Sequence, residues 1–364
     1  MGSRVCIVGV GQTVHSSLRE DVDVAEMVLE AINEALADAG LELRDVENAV
    51  TACMDFWDGR TIANMWVAEV VGSYRKSEGR TCMDAIGAML YMWTRISTGS
   101  FRIGLVTAHC KESAGRIPDI ETAATDPFTQ RRLGFDGNVV SGLVARYLLD
   151  NGRYTREAAA EVVVEARRRG SKNPKLEPLQ QVTVDEVLSA PVIADPLRAL
   201  DRAPNRDGAV ALVVVSEDVA VGLGRTPVTV KGVGAITGPY WSDAEPGSTA
   251  ALEKVYRVAM DMAGWDDHPA DLVELSAQFS YQHLLFAPVL GKDPLDPTLN
   301  TSGGWLAGNP FVVSGAARIA ECVHQLRGTA GDRQLGKADR AVAHGIHGLA
   351  AQTHSVVLLE GGLS

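Results

Sequence analysis

The chain has 364 residues, with 34 basic and 46 acidic side chains, a formal net charge of −12 and 46% apolar residues. That length exceeds one typical core and calls for two domains or a fused double core, and the negative charge disfavours nucleic acid and anionic membranes as partners. Five dispersed cysteines with no CxxC pair fit neither a disulfide framework nor a structural zinc site, so with no signal-like opening and no long apolar run a soluble, cytoplasmic, metal-free protein is expected.

In chain order, β-branched runs between glycine breaks predict strands at 4–10, 47–52, 102–108, 208–216, 227–234, 271–275, 338–345 and 354–359. Capped stretches with 3.6-residue periodicity predict helices at 22–39, 61–71, 85–98, 138–151, 155–170, 248–263, 279–290 and 312–327. The alternation favours sheets covered by helices on both faces. The plan also occurs twice. Arg4-Val-Cys-Ile-Val-Gly-Val-Gly11, a helix ending at Gly40 and the strand at 47–52 are answered by Val228-Thr-Val-Lys-Gly-Val-Gly234, a helix ending at Gly264 and the strand at 271–275. Such duplication implies two pseudo-symmetric halves with a functional cleft where they meet. The expected division is 1–221 and 222–364, with 112–204 inserted in the first half because it has no counterpart in the second. Gly222 to Pro227 reads as a short seam. Gly9, Gly11, Gly232 and Gly234 lack the full GxGxxG spacing, so no nicotinamide cofactor is indicated.

Cys82 lies in Arg80-Thr-Cys-Met-Asp-Ala-Ile-Gly-Ala-Met89, a small-residue turn leading into a helix. A thiol at a helix N-terminus meets unpaired N–H groups and the positive end of the macrodipole, which favours the nucleophilic thiolate.

These features together resemble the thiolase superfamily. The residues that carry the resemblance are Cys82 before a helix ending in Ser-x-Gly, Asp207-Gly-Ala-Val-Ala211, and Asn300-Thr-Ser-Gly-Gly-Trp-Leu-Ala-Gly-Asn-Pro310 followed by Gly315. The nearest branch is the sterol-carrier-protein type and its lipid-transfer-protein relatives. The resemblance implies a five-layered α-β-α-β-α fold acting on acyl-CoA thioesters, with coenzyme A as part of the substrate and no bound cofactor. It also implies a cysteine that takes the acyl group and a histidine that activates it.

The catalytic set departs from that pattern. Ser276 stands where a histidine of the oxyanion hole belongs, and Asn309, in Gly308-Asn-Pro310, stands where the activating histidine belongs. Asn and Ser donate hydrogen bonds to a developing oxyanion but do not act as general bases. His347 and His344, in Ala343-His-Gly-Ile-His-Gly348, are the replacement bases expected, with His109 and Cys110 at the equivalent strand end of the first half. Gly348 and its neighbouring backbone are expected to line the site. Arg131, Arg132 and Arg168, with Arg167, Arg169 and Lys172 nearby, are the cations expected for coenzyme A phosphates, and Gly308 and Tyr281 are expected at the substrate.

The first expectation is therefore thiolase-type acyl transfer through a Cys82 acyl-enzyme. The second is an acyl-CoA retro-aldol lyase like those of steroid side-chain breakdown, in which Tyr281 or Tyr240 would substitute for the tyrosines such enzymes use. A third is a silent thiolase-fold subunit. The resemblance implies a homodimer, or a hetero-oligomer with a second thiolase-like chain or a small zinc-ribbon/OB-fold protein that presents acyl-CoA.

Overall fold

The computed structural model describes residues 3–224, 226–265 and 270–362. Its strands are β1 Val5–Gln12, β2 Asn48–Ala52, β3 Ser77–Thr81, β4 Ile103–Lys111, β5 Val192–Ala194, β6 Leu197–Arg198, β7 Asp207–Ser216, β8 Val228–Thr237, β9 Leu272–Glu274, β10 Arg340–His347 and β11 Thr353–Gly361. The helices are α1 Val24–Ala39, α2 Asp55–Asp58, α3 Ala85–Ser97, α4 Ile117–Ala124, α5 Gly137–Asp150, α6 Arg156–Gly170, α7 Val184–Ser189, α8 Glu217–Leu223, α9 Ala250–Ala263, α10 Ser280–Val289 and α11 Ser314–Arg327.

Every strand expected from the β-branched runs forms. β3 gives no such signal because Ser77-Glu-Gly-Arg-Thr81 is polar and only half-buried at a sheet edge. The helix expected over 61–71 is instead one 3-10 turn, Ala63–Trp66, followed by turns. Ile62 enters it with a left-handed φ of 57° and no side chain caps it, so a regular helix has no start there.

Nine strands form one sheet in the order β3-β2-β4-β7-β1-β8-β11-β10-β9. From β1 outward the partners run antiparallel to β7, antiparallel to β4, then parallel to β2. From β8 outward they run antiparallel to β11, antiparallel to β10, then parallel to β9. The duplicated sequence plan is thus a palindromic sheet joined through β1 and β8, with β3 as the unmatched edge. Arg225, in the seam expected at 222–227, lies outside the described residues.

The cores follow the same symmetry. α1 buries Met27, Val28, Ile32 and Leu36 against β1, β4 and β7 in one cluster, and α9 buries Leu252, Val255 and Ala259 against β8, β10 and β11 in another. Between them, α3 and α11 pack together and share a cluster with strand residues of both halves. The order helix, first half of the sheet, paired helices, second half of the sheet, helix gives five layers. The Gly-x-Gly pairs permit this packing: a Cβ on Gly9 or Gly11 would lie 2.2 or 2.0 Å from carbonyl oxygens of α1, and one on Gly232 would lie 2.2 Å from Ala259 O of α9. They serve close helix–strand packing in both halves. The region 112–204 holds α4 to α7 and the small β5–β6 pair.

Candidate functional site

Cys82 follows β3 and lies three residues before Ala85, the first residue of α3, with its thiol exposed. The helix start it was expected to face is already occupied. The N–H of Ala85 donates to Val312 O at 3.0 Å, and that of Ile86 donates to Oδ1 of Asp84, the N-cap, also at 3.0 Å. Asp84 also accepts the N–H of Gly315 at the start of α11, at 2.8 Å, so one carboxylate ties the two central helices together. Asp84 is 1% exposed, and burial pushes its carboxyl up to about 7 despite these N–H donors and nearby Arg318. Among the described residues the sulfur of Cys82 makes no hydrogen bond. Cys53 is buried, which pushes its thiol up to about 12.

Asn309 and Ser276 are both buried, and both are committed to internal partners. The amide nitrogen of Asn309 donates to His15 Nδ1 at 2.9 Å, and its oxygen accepts from Arg318. Arg318 in turn pairs with Glu274 at 2.8 Å and donates to Ser302 Oγ at 2.7 Å, with Ser302 and Thr301 also bonded to Glu274. Burial and neighbouring cations hold His15 down to about 3, so it is neutral and accepts from Asn309. Ser276 Oγ lies 2.9 Å from Ser314 Oγ, and its N–H donates to His344 O at 3.2 Å. Gly308, which precedes Asn309, has φ 114° and no room for a side chain beside Arg206. The sequence motifs point to residues 276 and 309 but give no sign of the His15–Asn309–Arg318–Glu274 chain, because its members come from four separate segments.

The strand-end histidines separate. His347 is half-buried at the end of β10, 6.0 Å from the ring of Phe311, which itself stacks on Trp57 at 4.7 Å. Its Nδ1 has no partner among the described residues, and burial lowers it to about 4. Gly348 follows at φ 90°, tight against Gln352. His344 points to the other face, fully buried, with Nε2 3.0 Å from His354 Nδ1. His109 is buried 3.6 Å from Asp58, too far for a good hydrogen bond, and Cys110 is buried with its thiol pushed well up.

The cations expected for coenzyme A are engaged locally. Arg131 donates to the carbonyls of Ala123 and Thr125, Arg168 pairs with Glu165, and Arg132 is exposed. Arg169 is drawn inward to Leu295 O and Leu299 O, and Arg167 to Gln180 O. Tyr240 donates to Gln130 at 2.7 Å. Tyr281 is buried, which pushes its phenol up to about 12, and it lines a cavity of about 280 Å³. That cavity lies between the 238–249 loop, the start of α9, α10 and the beginning of β11. His354 also stands on its wall, a position that the motifs do not indicate.

A layered double-sheet fold with paired central helices at a cysteine-bearing turn is that of the thiolases, and residues 297–360 match the Thiolase C-terminal domain-like family. The chain is 29% identical to the acetyl-CoA acetyltransferase of Methanothermobacter thermautotrophicus, over 94% of this chain and 96% of that protein. It is 24% identical to sterol carrier protein 2 of Gallus gallus, over 95% and 70% respectively. Its fold matches the solved Ltp2-ChsH2(DUF35) aldolase with a TM-score of 0.82 at 22% identity, covering 98% of each chain. Fold and motifs together make the chain similar to the thiolase superfamily. Within it the resemblance is to the sterol-carrier-protein type, whose thiolases act on coenzyme A thioesters. No helix among the described residues is long and apolar enough to cross a membrane.

Proposed function

We propose that the chain breaks or forms a C–C bond beside an acyl-CoA thioester by acid/base chemistry of the retro-aldol kind, without an acyl-enzyme. The observation that carries this reading is the occupied start of α3: the N–H groups that would favour a Cys82 thiolate are bonded to Val312 and Asp84. The position of the usual activating base holds Asn309, which takes up no proton. A retro-aldol step needs neither group. A base removes the β-hydroxyl proton, the Cα–Cβ electron pair moves into the thioester as an enolate, and Cα is reprotonated, giving a carbonyl compound and a shortened acyl-CoA.

The test is to incubate the purified chain with β-hydroxyacyl-CoA thioesters and quantify both products for the wild type and Cys82→Ala. Cleavage that survives in Cys82→Ala is expected. An acyl adduct on Cys82, with CoA-dependent cleavage that disappears in Cys82→Ala, would overturn the reading in favour of acyl transfer. That second reading has one observation behind it: Cys82 is the exposed thiol of the five, at the turn where the superfamily carries its nucleophile.

The aldolase neighbour includes ChsH2(DUF35). By analogy we place this chain in a homodimer, or in a hetero-oligomer with a second thiolase-like chain or a small acyl-CoA-presenting protein, within the cytoplasm. We divide it at 221/222, in the last turn of α8 and before β8. Activity of the purified chain alone would argue against a silent subunit.

A further inference from the structure

The cavity beside α10 sets a buried imidazole, His354, against open volume. Its walls are largely apolar, formed by Val144, Ile236, Trp241, Tyr281, Leu285 and Phe286. His354 stands on this wall, 2% exposed, with Nδ1 turned to His344 Nε2 at 3.0 Å, which leaves Nε2 as the nitrogen free to meet a ligand. The two imidazoles are nearly parallel, with centroids 5.3 Å apart, and the edge of Phe286 meets both rings. Behind them, His344 Nδ1 has no partner among the described residues.

This pairing fixes the chemistry available. When His354 donates its Nδ1 proton to His344, its Nε2 is bare and accepts. A proton taken up at Nε2 makes the pair a cation, and the Nδ1 proton is then shared with His344 across 3.0 Å. A lone imidazole in an apolar wall lacks that second acceptor. The other titratable groups facing the cavity are Tyr281 on α10, Lys254 on α9 and Glu245 on the loop. Burial holds His354 neutral, down to about 4.

We infer that this cavity receives the uncharged, apolar, hydroxyl-bearing acyl group of a coenzyme A thioester, and that His354, with His344 as its positioning residue, accepts the hydroxyl proton. The inference rests on the lyase reading for its reaction but not for its binding site. The proton moves from the hydroxyl to Nε2, the Cα–Cβ pair moves to the thioester, and the proton returns to the enolate carbon.

The experiment compares the full chain with His354→Gln and His344→Gln, with His324→Gln as a control outside the cavity. The probe is a β-hydroxyacyl-CoA with a branched or cyclic acyl group, and free coenzyme A is the comparison. Binding is read from tryptophan fluorescence, with Trp241→Phe identifying the cavity signal, and from the ¹⁵N shift of His354 Nε2. The acyl-CoA, and not free coenzyme A, should move both signals, and His344→Gln should shift the titration of His354. In turnover, His354→Gln should lower kcat by about 100-fold or more with little change in KM. His344→Gln should cost less and displace the acidic limb of the pH profile. Cleavage by the wild type that persists unchanged in His354→Gln removes this inference and leaves the lyase reading intact. Binding signals as expected with no cleavage remove the lyase reading and keep the cavity assignment. An acyl-CoA that leaves the His354 and Trp241 signals unmoved overturns the inference outright.

Discussion

The seam between α3 and α11 and the cavity beside α10 are both lined by buried polar side chains, yet they differ in the open volume beside those side chains. At the seam, Asp84, Ser276, Asn309 and Arg318 each have a partner within the protein, from a different segment in every case. At the cavity, His354 has one partner and one free nitrogen beside open volume. A polar network packed with little open volume rigidifies a core, whereas a polar atom beside a cavity has room for a ligand. The comparison assigns structural work to the residues the motifs point to and leaves room for chemistry at one they do not.

Breaking the seam should have the largest effect. Arg318→Met takes the cation from buried Glu274 and a donor from Asn309, so a loss of about 3–5 kcal/mol is expected in chemical denaturation. A loss of less than about 1 kcal/mol would place the seam in the same class as the cavity.

The next test is pH. The carboxyl of Asp84 is raised from 3.8 to about 7 on folding, so the folded state holds the extra proton between those values. Its contribution to stability is therefore complete below about pH 4 and declines as pH rises towards 7, by up to about 4 kcal/mol. Asp84→Asn should flatten that decline when unfolding is followed across pH 4–7. Glu112, raised to about 7 by burial while accepting from the N–H groups of Arg206 and Phe311, contributes in the same direction and remains in the variant.

Smaller still is Gly345→Ala. Its Cβ would lie 2.2 Å from Oδ1 of Asp84, an atom that is itself pinned, so a loss of about 1–3 kcal/mol is expected in thermal melts. The smallest effect should come from Cys82→Ala, which removes an exposed thiol with no hydrogen bond: stability should stay within about 0.5 kcal/mol. A larger loss would show that Cys82 is part of the seam.

Much of the architecture is legible along the chain because it depends on short-range pattern. The repeated Gly-x-Gly strands, Asp23 capping α1 with Glu26, and the glycines closing α1, α9 and α11 in left-handed conformations all act within a few residues of themselves. β3 is missed because an edge strand buries little and so needs no apolar alternation. Residues 61–71 mislead because periodicity carries no information about the left-handed φ at Ile62.

The sequence by itself determined the two-fold plan, the alternation of helix and strand and the likeness to the thiolase superfamily, since each is written in local spacing. Only the tertiary structure decided that the α3 donors are taken by Val312 and Asp84, that Asn309 is held between His15 and Arg318, and that His344 meets His354 at a cavity wall. Those facts depend on which distant segments arrive together and on how much water they exclude. Hydrogen-bond saturation and burial are properties of the packed molecule and of no single stretch of it.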